Sequence, residues 1–245
     1  MNKLQVTLTV EESKEIISLG LMKHILLKGG TTVSKISEKL INYPLRICGR
    51  ITSRGTVSSK NLVDGPHSIV YSKGNGDNVD ENLVEVVQKF SKNDLIICGA
   101  NAIDYKGNAA TMIGSSDGGS IGQILNSLND GETNIIIPVG LEKMIFGDLD
   151  EIIGKSSRNG KTISWGMAVG LMPLKGEVFT EIEAIKQLAD VDCFQIGAGG
   201  LGNAQGSVTL EIWSDFNEEF DKIFKILKEI KSFNTKISGI EDSLI

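Results

Sequence analysis

Apolar and polar positions along this chain switch between a period near 3.6 and short continuous apolar runs, the pattern of alternating helices and strands. Thr9 and Glu12 have capping-box spacing, and Ile16, Leu19, Leu21 and Met22 supply an apolar side, so a helix is predicted over 10–24. Residues 25–28 predict a short strand that stops at Gly29-Gly30-Thr31-Thr32. Val33, Ile36, Leu40 and Ile41 then recur at helical spacing, with Thr31 and Thr32 as candidate N-caps. Strands are predicted over 45–58 and 67–73, separated by a polar loop with Asp64-Gly65-Pro66, followed by a helix at 80–90. Next come strand 95–98, a strand or loop at 109–113, helix 120–128 and strand 135–138. This alternation predicts an α/β fold with an open, mostly parallel sheet flanked by helices.

The composition turns polar over 154–160, GKSSRNG, which makes that stretch the best linker candidate. Beyond it, Thr180 and Glu183 repeat the capping-box spacing, strands are predicted at 193–197 and 207–213, and an amphipathic helix at 217–231. Two units are therefore expected, an α/β ligand-binding domain over 1–155 and a small C-terminal α+β, ferredoxin-like lobe over 156–245.

The 245 residues suffice for a substantial core, and 40% hydrophobic with 23% charged residues argues against disorder. No apolar run approaches the ~20 residues of a membrane helix, and the first residues lack a secretory h-region, so a cytoplasmic protein without membrane association is expected. A net charge of −6 disfavours nucleic acid as a partner. Cys48, Cys98 and Cys193 are odd in number and set among apolar residues, which fits reduced structural thiols. No metal site and no cofactor are predicted; a homo-oligomer is.

The most informative stretch runs from Asp94 to Gly122. An apolar strand, Leu95 to Cys98, leads straight into small and polar residues, and in open α/β proteins ligands bind at such carboxyl ends. Amides at the glycine turn 29–32 and at 115–120 would hold a phosphate or carboxylate without a charged side chain, although an ordinary capped turn has the same signature.

Gly29-Gly30-Thr31-Thr32 after a strand, GANAID at 99–104 and IIIPVGLEK at 135–143 together resemble the superfamily of ribose-5-phosphate isomerase, glucosamine-6-phosphate deaminase and CoA-transferases, over roughly residues 10–150. The segment 99–115 also resembles the motif of methylthioribose-1-phosphate isomerase and related initiation-factor exchange subunits, with Gly99, Ala100, Ile103, Gly107, Ala110, Ile113 and Gly114 matching. The resemblance implies sugar-phosphate isomerase-like or CoA-transferase-like chemistry, and ribose-5-phosphate isomerases also carry a small α+β lobe. Asn101 stands where the isomerase family has an aspartate, and an amide cannot exchange protons with a sugar carbon. Thr111 and Met112 replace the family's asparagine and lysine. Asp104 matches the second aspartate, and Glu142 is the candidate nucleophile of a transferase, although the glutamate-glycine surroundings of those enzymes are absent. An Asx turn at Asp104 and a surface helix opened by Glu142 and Lys143 are the plainer alternatives.

Two further patterns stand apart. Gly197, Gly199 and Gly202 satisfy G-x-G-x-x-G, but the residues from Gly206 to Trp213 alternate like a strand, so a glycine-rich connection between strands is predicted in place of a dinucleotide loop. Arg46, Arg50 and Arg54 would share one face of an extended strand, suited to binding an anion, to a solvated edge or to a subunit contact. His24 and His67 have no carboxylate partner by sequence and read as structural. The expected site thus comprises Gly29, Gly30, Thr31, Thr32, Asn101, Lys106, Gly118, Gly119, Ser120 and Lys143 for a small anionic metabolite, with Asp104 or Glu142 as base or nucleophile. The competing expectation is a noncatalytic ligand-binding, regulatory or assembly module of the same fold.

Overall fold

The computed structural model describes residues 2–20, 26–58, 65–72, 75–129 and 133–238. The chain opens with β1 (Asn2–Leu8) and α1 (Val10–Gly20), whose start carries the expected capping contacts, Thr9 N–H to Glu12 Oε2 and Glu12 N–H to Thr9 Oγ1. Residues 21–24 of the predicted first helix, with His24, lie outside the described residues. β2 (Leu26–Lys28) runs into α2 (Thr31–Ile41), where Gly30 and neither threonine occupies the N-cap. The predicted strand 45–58 is replaced by a loop and a hairpin of β3 (Gly49–Thr52) and β4 (Gly55–Ser58). Gly55, with a φ of +88°, makes the tight turn.

β5 (Ser68–Ser72), β6 (Asn75–Asn78) and α3 (Leu83–Val87) follow, the helix shorter than its predicted 80–90. Then come β7 (Leu95–Cys98), β8 (Ala102–Ile103), β9 (Ala109–Ile113), α4 (Gly119–Asn129) and β10 (Asn134–Pro138). A 3₁₀ turn at Leu141–Lys143 and α5 (Leu149–Lys155) lead to β11 (Gly170–Leu174), β12 (Glu177–Phe179) and α6 (Glu181–Leu188). The chain ends in β13 (Asp192–Gly199), β14 (Ser207–Ser214) and α7 (Asn217–Ser238). The capping box at Thr180 and Glu183 forms as expected at the start of α6.

The expectation of an open, mostly parallel sheet is overturned. Among the described residues fourteen strands form several sheets, and seven pairings are antiparallel against three parallel. The largest sheet has the order β12-β10-β7-β2-β5-β6; its first four strands are parallel, but β5 and β6 return antiparallel at one edge. A second sheet, β11-β9-β8, a third, β1-β14-β13, and the β3-β4 hairpin are wholly antiparallel. The apolar runs mark burial on both faces: Leu27 and Ile97 enter one core cluster, while Leu26, Ile96, Cys98, Ile135 and Ile137 enter another. Burial fixes which residues are hidden and leaves the direction of each neighbour open.

The ferredoxin-like lobe is also absent, because the strands after residue 156 disperse. β11 pairs with β9, β12 joins β10 in the largest sheet, and β13 and β14 share a sheet with β1 from the beginning of the chain. Within the GKSSRNG stretch, the Ser156 carbonyl accepts a hydrogen bond from Leu171 N–H, so that segment lies against β11. Gly197 to Gly206 does connect antiparallel strands, β13 and β14, through a 3₁₀ turn at Gly202–Ala204.

Candidate functional site

The carboxyl ends of the parallel strands β2 and β7 open onto a cavity of about 480 Å³. Its floor is Lys28 through Thr32 and Cys98 through Asn101, and one wall is Gly118 through Ile121. The β3-β4 hairpin contributes Arg50, Ile51, Thr56 and Val57, and Met167 closes against it. That roof is tied to itself: Thr56 Oγ1 donates to the Met167 carbonyl at 2.5 Å, and Met167 N–H donates to the Thr56 carbonyl at 2.6 Å.

Two helices begin at this cavity. The first-turn amides of α2, at Thr31 and Thr32, and of α4, at Ser120 and Ile121, have no intrahelical acceptors and carry the positive ends of two helix dipoles. The glycine turn before α2 is enforced by packing, because a Cβ on Gly29 would stand 2.3 Å from His67 Nδ1 and 2.4 Å from the Arg46 carbonyl. Gly118 and Gly119 approach α4 with φ of +74° and +60°, and Asp117 Oδ1 accepts the Gly119 N–H at 3.0 Å.

Between the two helix starts sits Lys28, only 4% exposed. Its Nζ donates to Ser120 Oγ at 2.8 Å and lies 3.0 Å from His67 Nε2. His67 Nδ1 is 2.7 Å from the Arg46 carbonyl, which can only accept, so Nδ1 carries the proton and Nε2 is left as an acceptor facing Lys28. The backbone around the ring is held by Asp80, whose carboxylate accepts the N–H groups of His67 and Ser68 and pairs with Arg46 at 3.2 Å. Burial, aided by the Lys28 charge, pushes the His67 pKa down to about 4, and burial lowers that of Lys28 against the opposing pull of Cys98, Cys48 and Asp80. The ring is therefore neutral near pH 7.

Cys48 is exposed and lines the cavity with its Sγ 3.5 Å and 3.6 Å from the two His67 ring nitrogens. Nearly equal distances put the sulfur off the lone-pair direction of either nitrogen, so this is not a base-activated thiol. Cys98 is buried, and burial raises its pKa to about 11. Lys143 also lines the cavity; its Nζ donates to the Ala100 carbonyl at 3.1 Å and burial lowers its pKa.

The structure brings Gly29, Gly30, Thr31, Thr32, Asn101, Gly118, Gly119, Ser120 and Lys143 together around one cavity. It does not bring Asp104, Lys106 or Glu142 to the cavity wall. Asp104 is buried in a turn, where Oδ1 accepts the amides of Lys106 and Asn108 while Oδ2 accepts the Leu149 amide and the Asn108 side chain. Burial alone would raise its pKa, but these donors hold it below the usual value, leaving a fixed carboxylate with its lone pairs engaged. Lys106 pairs with Asp148 at 2.6 Å. Glu142 folds back over Gly140, with Oε2 buried and without a hydrogen-bond partner among the described residues, beside Glu181.

Asn101 is a clamp: Oδ1 accepts from Met112 N–H at 2.9 Å and Thr111 Oγ1 at 3.1 Å, fastening the loop after β7 to β9. The arginine row divides, with Arg46 turned to Asp80 and Arg50 at the cavity. Lys28, Cys48 and His67 were not expected in the site. The available signal was a lysine ending an apolar strand directly before two glycines; His67 and Cys48 arrive through loops whose course is not local. No helix among the described residues is long and apolar enough to cross a membrane, and no cluster among them has the makings of a metal site. No protein-family model, curated protein or solved structure matches the chain.

Proposed function

We propose that this cavity binds a small metabolite bearing a phosphate or carboxylate. The observation that carries the reading is the convergence of two helix N-termini on one cavity whose wall includes the buried Lys28 and the half-buried Lys143. Each element alone is common, but together they provide amides, dipoles and charge for one anion, in a volume suited to a small metabolite. The resemblance to sugar-phosphate enzymes points to the same ligand class.

Carboxylate-driven isomerisation or glutamate-based transfer is not part of the proposal. The described lining residues include no aspartate or glutamate, and Asp104 is consumed by its turn. That feature argues against an isomerase of the resembled type. Thermal-shift and calorimetric titration with orthophosphate, ribose 5-phosphate and citrate tests the anion site. At a ligand concentration near 100 Kd, binding should add about 2.7 kcal/mol of stability. Lys28→Met should remove most of this gain. Absence of a shift with every one of these anions would overturn the proposal.

A further inference from the structure

We infer that Lys28 is an amine nucleophile that forms an imine with an aldehyde or ketone whose anionic end is held by the starts of α2 and α4. This rests on the anion-site reading above and narrows the ligand to a carbonyl compound carrying phosphate or carboxylate. A lysine serving only as a counter-charge needs no proton acceptor beside it. Lys28 has one, because the Nδ1 contact to the Arg46 carbonyl fixes the His67 tautomer and leaves Nε2 3.0 Å from Nζ. Lys143, a half-buried lysine of the same cavity, instead donates to the Ala100 carbonyl.

The Lys28 surroundings agree. Nζ is in contact with Ser120 Oγ and His67, and the groups acting on it are Cys48, Cys98 and Asp80, of which Asp80 is already engaged with Arg46 and two backbone amides. Burial favours the neutral amine, the reactive form.

The step balances without an external reagent. Lys28 ammonium gives a proton to His67 Nε2, and the free amine attacks the carbonyl carbon, forming a C–N bond while the C=O pair moves to oxygen. His67 returns the proton to that oxygen; loss of a second nitrogen proton and protonation of the hydroxyl then release water. The net change is carbonyl plus Lys28 ammonium to protonated imine plus water.

Reductive trapping tests the assignment. The intact protein is incubated with glyceraldehyde 3-phosphate and cyanoborohydride near neutral pH, and modified lysines are located by peptide mass spectrometry. Burial lowers the Lys28 pKa and so raises its neutral fraction at a given pH, and Lys28 should be the principal modified lysine, ahead of those on the surface. Orthophosphate should compete, nonphosphorylated glyceraldehyde should label Lys28 far less, and Lys28→Arg should lose trapping. Labelling spread over surface lysines, with orthophosphate still bound, overturns the nucleophile and leaves the anion site standing. Equal labelling of Lys28 by both aldehydes, with no orthophosphate binding, overturns the anionic substrate class and the anion site with it.

Discussion

His67 and Glu181 are held in protonation states of opposite consequence for stability. Burial drives the His67 pKa from 6.5 down to about 4, so between those values the unfolded chain binds more protons than the native one and stability rises with pH. Burial drives the Glu181 pKa from 4.5 up to about 7, so across that range the native state binds more protons and stability falls with pH. Each effect amounts to at most about 3 kcal/mol, and in the overlap from pH 4.5 to 6.5 they oppose one another. Relative to the parent protein, His67→Asn should tilt the stability profile downward with rising pH, and Glu181→Gln should tilt it upward. Urea unfolding across pH 4 to 7 measures both, and profiles parallel to the parent would refute the assignments. Asp104 belongs at this scale too. Asp104→Ala should cost roughly 3 kcal/mol by abandoning four donors, whereas Lys28→Arg should trouble ligand chemistry more than folding. Guanidinium denaturation beside the trapping assay separates the two.

At the scale of elements, the glycine turn before α2 yields a contrast between neighbours. A methyl group on Gly29 meets the His67 ring and the Arg46 carbonyl, so Gly29→Ala should destabilise by about 3 kcal/mol. Nothing lies within 4 Å of a Cβ on Gly30, whose φ of −169° any residue adopts, so Gly30→Ala should lose no more than about 1 kcal/mol as a poorer N-cap. Equal losses in chemical denaturation would show that the turn is not built around His67. These elements were legible because burial on both faces of β2, β7 and β10 leaves apolar runs, and a glycine pair or small-residue loop ends each approach to a helix. The β3-β4 roof was not legible: its residues are exposed or half-buried, carry no apolar alternation and are fixed by Met167, far along the chain. β12 is three residues long, and its place beside β10 is decided by register in the largest sheet. Asn101, Thr111 and Met112 were singled out only as departures from the resembled motif, and the hydrogen bonds that make them a clamp depend on β9 folding back.

Across the whole molecule, the decisive long-range contact is the seven-residue antiparallel pairing of β1 with β14, from Asn2 opposite Ser214 to Leu8 opposite Val208. Val6 and Leu8 are buried in the same cluster as Val208, Leu210 and Ile212. Deleting residues 2–8 should therefore cost about 5 kcal/mol or more, a large part of an ordinary domain's stability. The measurement is the cooperativity and midpoint of urea unfolding by circular dichroism; an unchanged midpoint would mean that β1 merely decorates the sheet. The pairing also bears on how the protein is made. Translation at 5–20 residues per second separates the appearance of Leu8 from that of Val208 by about 10–40 s. During that interval Leu4, Val6 and Leu8, alternating with polar residues, wait without the strand that later pairs with them.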